Sequence, residues 1–272
     1  MTTQELIKKA LEEDMPKGDI SSMYLFSNQE STGKFIAKED GVLSGIHVCE
    51  QVFLEVDPTV TFDVLIEDGT ILKKGDILAV VKGKTKSILM AERVGLNFLQ
   101  RMSGVASKTK LFVNEIKDTH AKILDTRKTT PLLRALEKQA VVDGGGKNHR
   151  MSLSDMVMLK DNHLKASSSI QSAVDQVKKN ISKDTLIEVE VESIAMFEEA
   201  LLTNCDIIML DNMSLSDMEE CVAINHGKKL LEASGNMTLE RIKDVALVGV
   251  DYISVGALTH SYHSLDISLK FE

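Results

Sequence analysis

From Ala121 onward, short apolar runs of strand length alternate with amphipathic helical patterns, and this alternation constrains the fold more than any other feature. The strand cores read as residues 123–125, 156–159, 186–189, 207–210, 230–232 and 252–255. Helical patterns lie between them at 131–142, 168–179, 194–202, 216–223 and 239–245. Parallel strands need long crossovers, and a helix in each crossover gives right-handed βαβ units. Six such strands fit in this half and eight do not. The pattern therefore predicts a shortened, incomplete parallel α/β barrel of about six strands.

The first part of the chain has a different texture. Residues 34–38, 41–44, 59–67 and 77–82 read as short strands, separated by turns at Asp40-Gly41, Asp68-Gly69 and Lys74-Gly75. Residues 4–14 and 47–55 read as amphipathic helices. Residues 87–118 carry helical apolar spacing (Ile88, Ala91, Val94, Leu99, Met102) with a break expected near Ser103-Gly104, and link the two textures. The hairpin around Lys73-Lys74-Gly75-Asp76 is similar to the turn of biotinyl and lipoyl carrier domains. It lacks a Met-flanked lysine, so it reads as an ordinary hairpin.

The formal net charge is −9, which argues against general nucleic-acid binding, since that requires a basic face. Cys49, Cys205 and Cys221 form no C-x-x-C pair and read as buried thiols of a reducing compartment. The first residues are polar, with no apolar signal core, and no stretch approaches 18 consecutive apolar residues. A cytoplasmic protein with no membrane partner is expected.

In parallel α/β folds, ligands bind at the C-terminal ends of the strands. Those ends read Asp125-Thr126-Arg127-Lys128, then Lys160-Asp161-Asn162-His163, then Glu188 to Glu192, Asp211-Asn212, Ser234-Gly235-Asn236 and Ser254-Val255-Gly256. Charge packed behind apolar strands is costly unless it has a purpose. The last two ends, rich in Ser and Gly, suit a phosphate, which the loops after the final strands of α/β barrels commonly bind. Arg127, Lys128, His149, Arg150 and Lys160 suit a second ligand with several carboxylates, because guanidinium binds carboxylate through two parallel hydrogen bonds; Lys147 reads either as part of this cluster or as a solvated loop residue. Gly144-Gly145-Gly146, just before Lys147, reads either as a flexible connection or as backbone able to approach a ligand. Glu190 and Asp211 could accept sugar hydroxyls, stabilise developing positive charge, or hold Mg²⁺ indirectly. Strand alternation puts Glu188, Glu190 and Glu192 on one face, so periodicity does not choose among them. Paired carboxylates also fit glycoside hydrolysis, but so many cations argue against a neutral sugar. His47, His120, His226 and His263 show no metal-ligand spacing and read as structural or solvent-facing.

These runs, in this order, resemble the quinolinate phosphoribosyltransferase family. The match runs from Gly18-Asp19-Ile20, through Ala91-Glu92-Arg93 and residues 96–104, to 125–131, 144–150 and 158–163. It continues through 188–191, 209–213, 231–236 and 251–260. The resemblance implies an N-terminal α/β sandwich over residues 1–104 and an incomplete barrel over 105–272, whose last residues are free to pack back on the first domain. It implies transfer of phosphoribose from phosphoribosyl pyrophosphate to quinolinate with Mg²⁺, giving nicotinate mononucleotide, pyrophosphate and CO₂. It also implies homodimers with shared active sites, which in some members assemble into hexamers. By the same resemblance, Arg127, His149 and Arg150 bind the quinolinate carboxylates, with Arg93 reaching in from the partner subunit. Lys128 and Lys160 lie between the two substrates, and Glu190 and Asp211 face the ribose and its metal. These four are the expected catalytic residues. Ser234, Gly235, Asn236, Ser254, Val255 and Gly256 hold the 5-phosphate, and Thr126 and His260 fall within the matched runs as further substrate contacts. Two other readings are a related phosphoribosyltransferase associated with molybdate transport and a catalytically silent nucleotide-binding protein. The intact Lys160-Asp161-Asn162-His163 run argues against the first, and intact Lys128, Lys160, Glu190 and Asp211 against the second.

Overall fold

A computed structural model describes residues 1–272. In chain order the elements are α1 (Thr3–Asp14), α2 (Ile20–Leu25), β1 (Glu30–Ala37), β2 (Gly41–Val42), α3 (Ile46–Val56), β3 (Thr61–Val64), β4 (Ile71–Leu72), β5 (Ile77–Lys84) and α4 (Thr85–Glu115). There follow β6 (Lys122–Leu124), α5 (Arg134–Asp143), β7 (Val157–Leu159), α6 (Asp161–Lys165), α7 (Ile170–Lys178), β8 (Ile187–Val191), α8 (Ile194–Leu201) and β9 (Ile207–Asp211). The chain ends with α9 (Leu215–Asn225), β10 (Leu230–Ser234), α10 (Leu239–Val248), β11 (Tyr252–Ser254), α11 (Ala257–His260) and β12 (Ile267–Phe271). No helix is long and apolar enough to cross a membrane.

Contacts divide the chain into two units. The first comprises Met1–Lys110, Pro131–Gly145 and Ser261–Glu272; the second comprises Leu111–Thr130 and Gly146–His260. The first unit holds an antiparallel sheet in the order β12-β1-β5-β3 and a small β2-β4 pair. On β1, alternate side chains are buried, and Phe35 packs on Phe53 of α3 and Phe62 of β3 with ring centroids 5.6 and 5.3 Å away. The C-terminal strand β12 runs antiparallel to β1, with Ala37 opposite Ile267.

Two expectations are corrected in this unit. Helix α4 runs without interruption through Ser103-Gly104. The small residues there serve packing. Ser103 Oγ donates to Ser44 O at 3.1 Å and accepts from Ser44 N at 3.0 Å. A Cβ on Gly104 would fall on the His263 carbonyl oxygen. Segment 131–142, read as a crossover helix of the barrel, does form a helix, α5, but its contacts lie in the first unit. Arg101 Nη2 donates to the buried Glu137 carboxylate at 2.6 Å, Ser44 Oγ donates to Asp143 at 2.5 Å, and Gly144 sits against Ala106 and Thr109 of α4. Gly144 thus answers a packing demand. The Lys73 turn is an ordinary hairpin, with Lys73 Nζ bound to Asp40 at 2.7 Å.

The second unit is the six-stranded parallel sheet, in the order β6-β11-β10-β9-β8-β7. The strands are short and almost wholly buried: all five residues of β8 are inside. β6 and β7 are the two edges. The chain just before His149 adds a single parallel bridge to β6, between Leu124 and Lys147. Ser169, Ser193 and Ser214 cap α7, α8 and α9 by accepting backbone N–H groups, which fixes where each helix leaves the sheet. Cys49, Cys205 and Cys221 are free and buried. His47, His120, His226 and His263 are exposed.

Candidate active site

The C-terminal ends of all six parallel strands line one cavity of about 630 Å³. Residues from both sheet edges and from the middle of the sheet share it, so the sheet curls around it as an open barrel. Strand order sorts the charge. The edge strand β6 leads into Thr126, Arg127 and Lys128, and the other edge, β7, leads into Lys160. His149 and Arg150 follow the bridge on the free edge of β6. The middle strands supply Glu190 and Asp211 from β8 and β9, then Ser234, Gly235, Asn236 and Ser254 from the ends of β10 and β11. Cations thus gather where the barrel is open, and carboxylates and Ser/Gly loops sit opposite.

Arg127 and Arg150 form a guanidinium pair on the cationic side of the cavity. Arg150 Nη1 donates to Met156 O at 3.0 Å, and Arg127 Nε is buried with no hydrogen-bond partner. Burial and the neighbouring charge of Arg127 lower the Arg150 pKa, as expected for two like charges awaiting an anion. Lys128 is anchored through its backbone: its carbonyl accepts Thr259 Oγ1 at 2.9 Å. Lys160 Nζ donates to Glu190 Oε2 at 2.9 Å, pairing the ends of adjacent strands.

The structure separates the three candidate glutamates. Glu192 lies beyond the strand and is exposed, Glu190 reaches the cavity, and Glu188 is wholly buried below it. Glu188 Oε2 lies 3.0 Å from His149 Nε2, and Glu232 Oε2 of β10 lies 3.4 Å from the same atom. Burial alone would pull the His149 pKa down, but the two carboxylates outweigh it and lift it to about 9. Burial, then the charge of Glu232, pushes Glu188 up to about 7. Both shifts have the same sense: the cluster holds protons more tightly than its free members would. In such a set the protons belong to the group. Arg150 N–H lies 2.7 Å from His149 Nδ1, which accepts it when the ring is neutral; the ring proton then sits on Nε2, toward the carboxylates. These three residues place potential metal-ligating atoms within 4.8 Å of one another. A buried imidazole is a poor match for Mg²⁺, which prefers oxygen ligands and retains waters. Glu190 and Asp211, both on the cavity wall, fit Mg²⁺ better.

The loops after β9 and β10 interlock. Gly235 has φ +93°, and Asn212 and Asn236 have φ 54° and 48°. Asn212 N donates to Ser234 O at 3.0 Å, and Asn236 Nδ2 donates to Asn212 Oδ1 at 3.2 Å.

Twelve of the expected site residues therefore share the cavity: Thr126, Arg127, Lys128, His149, Arg150 and Lys160 on the cationic side, and Glu190, Asp211, Ser234, Gly235, Asn236 and Ser254 opposite. Four do not. Val255 is buried, and its N–H donates to Leu124 O at 2.9 Å. Gly256 packs on the Lys128 stem and His260: a Cβ there would lie 3.0 Å from Lys128 Cδ and 3.2 Å from His260 Nε2. His260 is exposed on α11, and Arg93 is exposed on α4 in the first unit. Lys147 is also exposed and off the wall. Sequence reading missed Met158, Met209 and Glu232 on the cavity wall, and it read Asn212 there only as part of the Asp211-Asn212 strand end, with no role of its own. All three had a signal: Met158, Met209 and Glu232 stand two residues before Lys160, Asp211 and Ser234 and so face the same way as those residues.

Comparison with known proteins agrees with the geometry. The family profiles for the quinolinate phosphoribosyl transferase N-terminal and C-terminal domains match residues 19–103 and 105–270. A quinolinate phosphoribosyltransferase (decarboxylating) 1b of Nicotiana tabacum is 44% identical over 98% of this chain and 81% of its own length. A probable nicotinate-nucleotide pyrophosphorylase (carboxylating) of Bacillus subtilis is 39% identical, covering 98% of this chain and 92% of its own. Among solved structures, NadC from Streptococcus pyogenes superposes with a TM-score of 0.95 at 43% identity, covering 98% of this chain and 96% of that one.

Proposed function

This chain belongs to the quinolinate phosphoribosyltransferase family, and we propose that it transfers phosphoribose from phosphoribosyl pyrophosphate to quinolinate, making nicotinate mononucleotide, pyrophosphate and CO₂ for NAD biosynthesis. The observation that carries this is the sorting of charge around one cavity. A guanidinium pair beside two ammonium groups suits a dicarboxylate, the Ser/Gly loops opposite suit a sugar phosphate, and two carboxylates lie between.

In this reading Arg127 and Arg150 hold the quinolinate carboxylates so that the ring nitrogen faces C1 of the ribose. Ser234, Gly235, Asn236 and Ser254 hold the 5-phosphate. Glu190 and Asp211 stabilise the positive charge that develops on the sugar as the bond to pyrophosphate breaks. Lys128 and Lys160 neutralise the departing pyrophosphate. The pyridine nitrogen becomes quaternary, and loss of the neighbouring carboxylate as CO₂ leaves its electron pair beside that positive charge until a proton replaces it. Glu190 and Asp211 are the residues that would hold Mg²⁺, which would supply further charge neutralisation there. The protein acts as a homodimer in which Arg93 completes the carboxylate pocket of the partner subunit. A cytosolic setting fits the three free, buried thiols.

The test is ultraviolet detection of nicotinate mononucleotide from quinolinate, phosphoribosyl pyrophosphate and Mg²⁺, with and without EDTA. No product from well-folded protein overturns the activity, and full activity in EDTA overturns the metal. Mixing inactive Arg93→Ala and Lys160→Ala chains tests the shared site: recovery of activity supports it, and none argues against it.

A further inference from the structure

The two ammonium groups of the cavity are set in different ways. Lys160 Nζ is held by a partner, Glu190 Oε2, at 2.9 Å. Lys128 is exposed and ends in a flexible four-carbon stem, so its place depends on how its backbone and stem are held. Three contacts hold them. Thr126 Oγ1 accepts the Lys128 N–H at 3.1 Å. Thr259 Oγ1 donates to the Lys128 carbonyl at 2.9 Å. Gly256 leaves room for the stem: a Cβ there would lie 3.0 Å from Lys128 Cδ, inside the roughly 3.5–4.0 Å of carbon atoms in contact.

Thr259 is the unusual member of the three. It stands on α11, 131 residues beyond Lys128 in sequence, and is 1% exposed. A threonine in a helical turn commonly returns its hydroxyl to a carbonyl three or four residues back. Here that carbonyl, Gly256 O, lies 3.3 Å away, and the Lys128 carbonyl is nearer. The hydroxyl therefore joins two strand ends where the sheet no longer does. The register of β6 with β11 stops at Leu124 opposite Ser254, and Val255 N–H adds one last bond to Leu124 O.

We propose that Thr259 and Gly256 are positioning residues for Lys128. Thr259 fixes the backbone from which the stem departs, and Gly256 shapes the surface along which the stem runs. The segment that carries both begins at Ser254, on the phosphate side of the cavity wall, so one stretch of chain sets that side and the ammonium together. The inference rests on the proposed activity for what Lys128 does, which is to neutralise the departing pyrophosphate. A misplaced ammonium then costs most in the transition state, where that charge develops.

The experiment compares Thr259→Val, which keeps the shape and removes the hydroxyl, with Thr259→Ser, which keeps the hydroxyl and removes a methyl. Thr259→Val is expected to lower kcat about three- to tenfold, the range that one uncharged hydrogen bond gives. Thr259→Ser should keep kcat near wild type even though losing a buried methyl lowers its melting temperature. Gly256→Ala should also lower kcat, because the new methyl displaces the stem. The deciding step repeats each substitution in a Lys128→Ala chain. A residue that acts only through Lys128 costs nothing further once the ammonium is gone, whereas one that merely supports the fold subtracts the same factor again. Equal losses on both backgrounds overturn the proposal, as does a wild-type kcat in Thr259→Val or a Thr259→Ser chain as slow as Thr259→Val. If Thr259→Val does not fold, Gly256→Ala carries the same comparison. A crystal structure of ligand-free Thr259→Val needs no turnover: the Lys128 backbone is expected to move, and an unmoved Lys128 overturns the positioning role. No product from wild type sinks the family reading alone, and the structure of the variant still decides the placement of Lys128.

Discussion

Asn212 Oδ1 occupies the space that a side chain on Gly235 would need. A Cβ at Gly235 would overlap that oxygen and come 2.9 Å from the Asn212 backbone nitrogen. Gly235 also has φ +93°, a conformation that costs other residues about 1–2 kcal/mol. Together these make the loop pair after β9 and β10 a preset cradle. Gly235→Ala is expected to leave the barrel folded but to raise the KM for phosphoribosyl pyrophosphate about tenfold or more, the factor that 1.4 kcal/mol gives. The quinolinate KM should stay near wild type. Steady-state kinetics with each substrate varied separately decides it, and an unchanged phosphoribosyl pyrophosphate KM removes this loop from the phosphate site.

Arg127 has a buried Nε with no partner in the protein and stands near a second guanidinium. A carboxylate ligand would satisfy it. Arg127→Ala should raise the quinolinate KM about 10–100-fold, the scale of one charged hydrogen bond of 1.5–3 kcal/mol, with an unchanged circular dichroism spectrum. Arg127→Lys should restore little, because an ammonium lacks the planar two-pronged geometry. A wild-type quinolinate KM in either variant would show that Arg127 does not bind the dicarboxylate.

The barrel strands were legible because their hydrophobic runs and polar ends are local signals. So were ten of the cavity residues, at those ends, while His149 and Arg150 were read from the basic run after Gly144-Gly145-Gly146. Parity could have gone one layer further, to Met158, Met209 and Glu232, but it could not separate Glu188 from Glu190; that depends on where the strand enters the core. Strand β12 was not legible, since its partner β1 is more than 200 residues away in sequence. The Ser103-Gly104 pair misled for a physical reason: small residues signal a helix break and close packing alike, and only the neighbour at His263 distinguishes them. Helix α5 was recognised as a helix but assigned to the barrel, because helical periodicity does not say which core a helix joins. Arg93 came from the family resemblance alone; nothing in local pattern marks one exposed arginine on a long helix.

Glu190 accepts Lys160 Nζ at 2.9 Å and is 8% exposed, beside the place proposed for the sugar. Glu190→Gln keeps the shape and removes the negative charge. If the carboxylate stabilises charge that appears only in the transition state, kcat should fall about 100-fold or more while both KM values move little. A rise in KM with kcat intact would recast Glu190 as a binding group only.

Gly104 tests the close approach that replaces the expected helix break. A Cβ there would fall on the His263 carbonyl oxygen and lie 3.0 Å from Ser264 Cα, both backbone, so no flexible side chain can yield. Gly104→Ala should destabilise by about 1–3 kcal/mol, the usual cost of overpacking, despite the better helix propensity of alanine. At roughly 2–4 °C per kcal/mol for a chain of this size, the melting temperature should fall by about 2–12 °C. A rise in melting temperature would mean that helix propensity outweighs the contact.

The cluster of His149, Glu188 and Glu232 should make stability fall as pH rises through the neutral range. Its His149 pKa lies at about 9, raised from 6.5 by the two carboxylates against the opposing effect of burial. Between those values the folded chain holds a proton that the unfolded chain has lost, so raising the pH favours unfolding. The contribution is fully present below pH 6.5 and is lost as pH rises through about 9. Glu188, raised from 4.5 to about 7 chiefly by burial, has the same sign over its own lower window. The melting temperature of wild type should therefore drop between pH 6.5 and pH 9, and the drop should be clearly smaller in His149→Gln. That variant cannot take up the extra proton but keeps the polar contact to the carboxylates. Scanning calorimetry of the two proteins across this range gives the answer: parallel curves would mean that the cluster does not hold its protons more tightly in the fold.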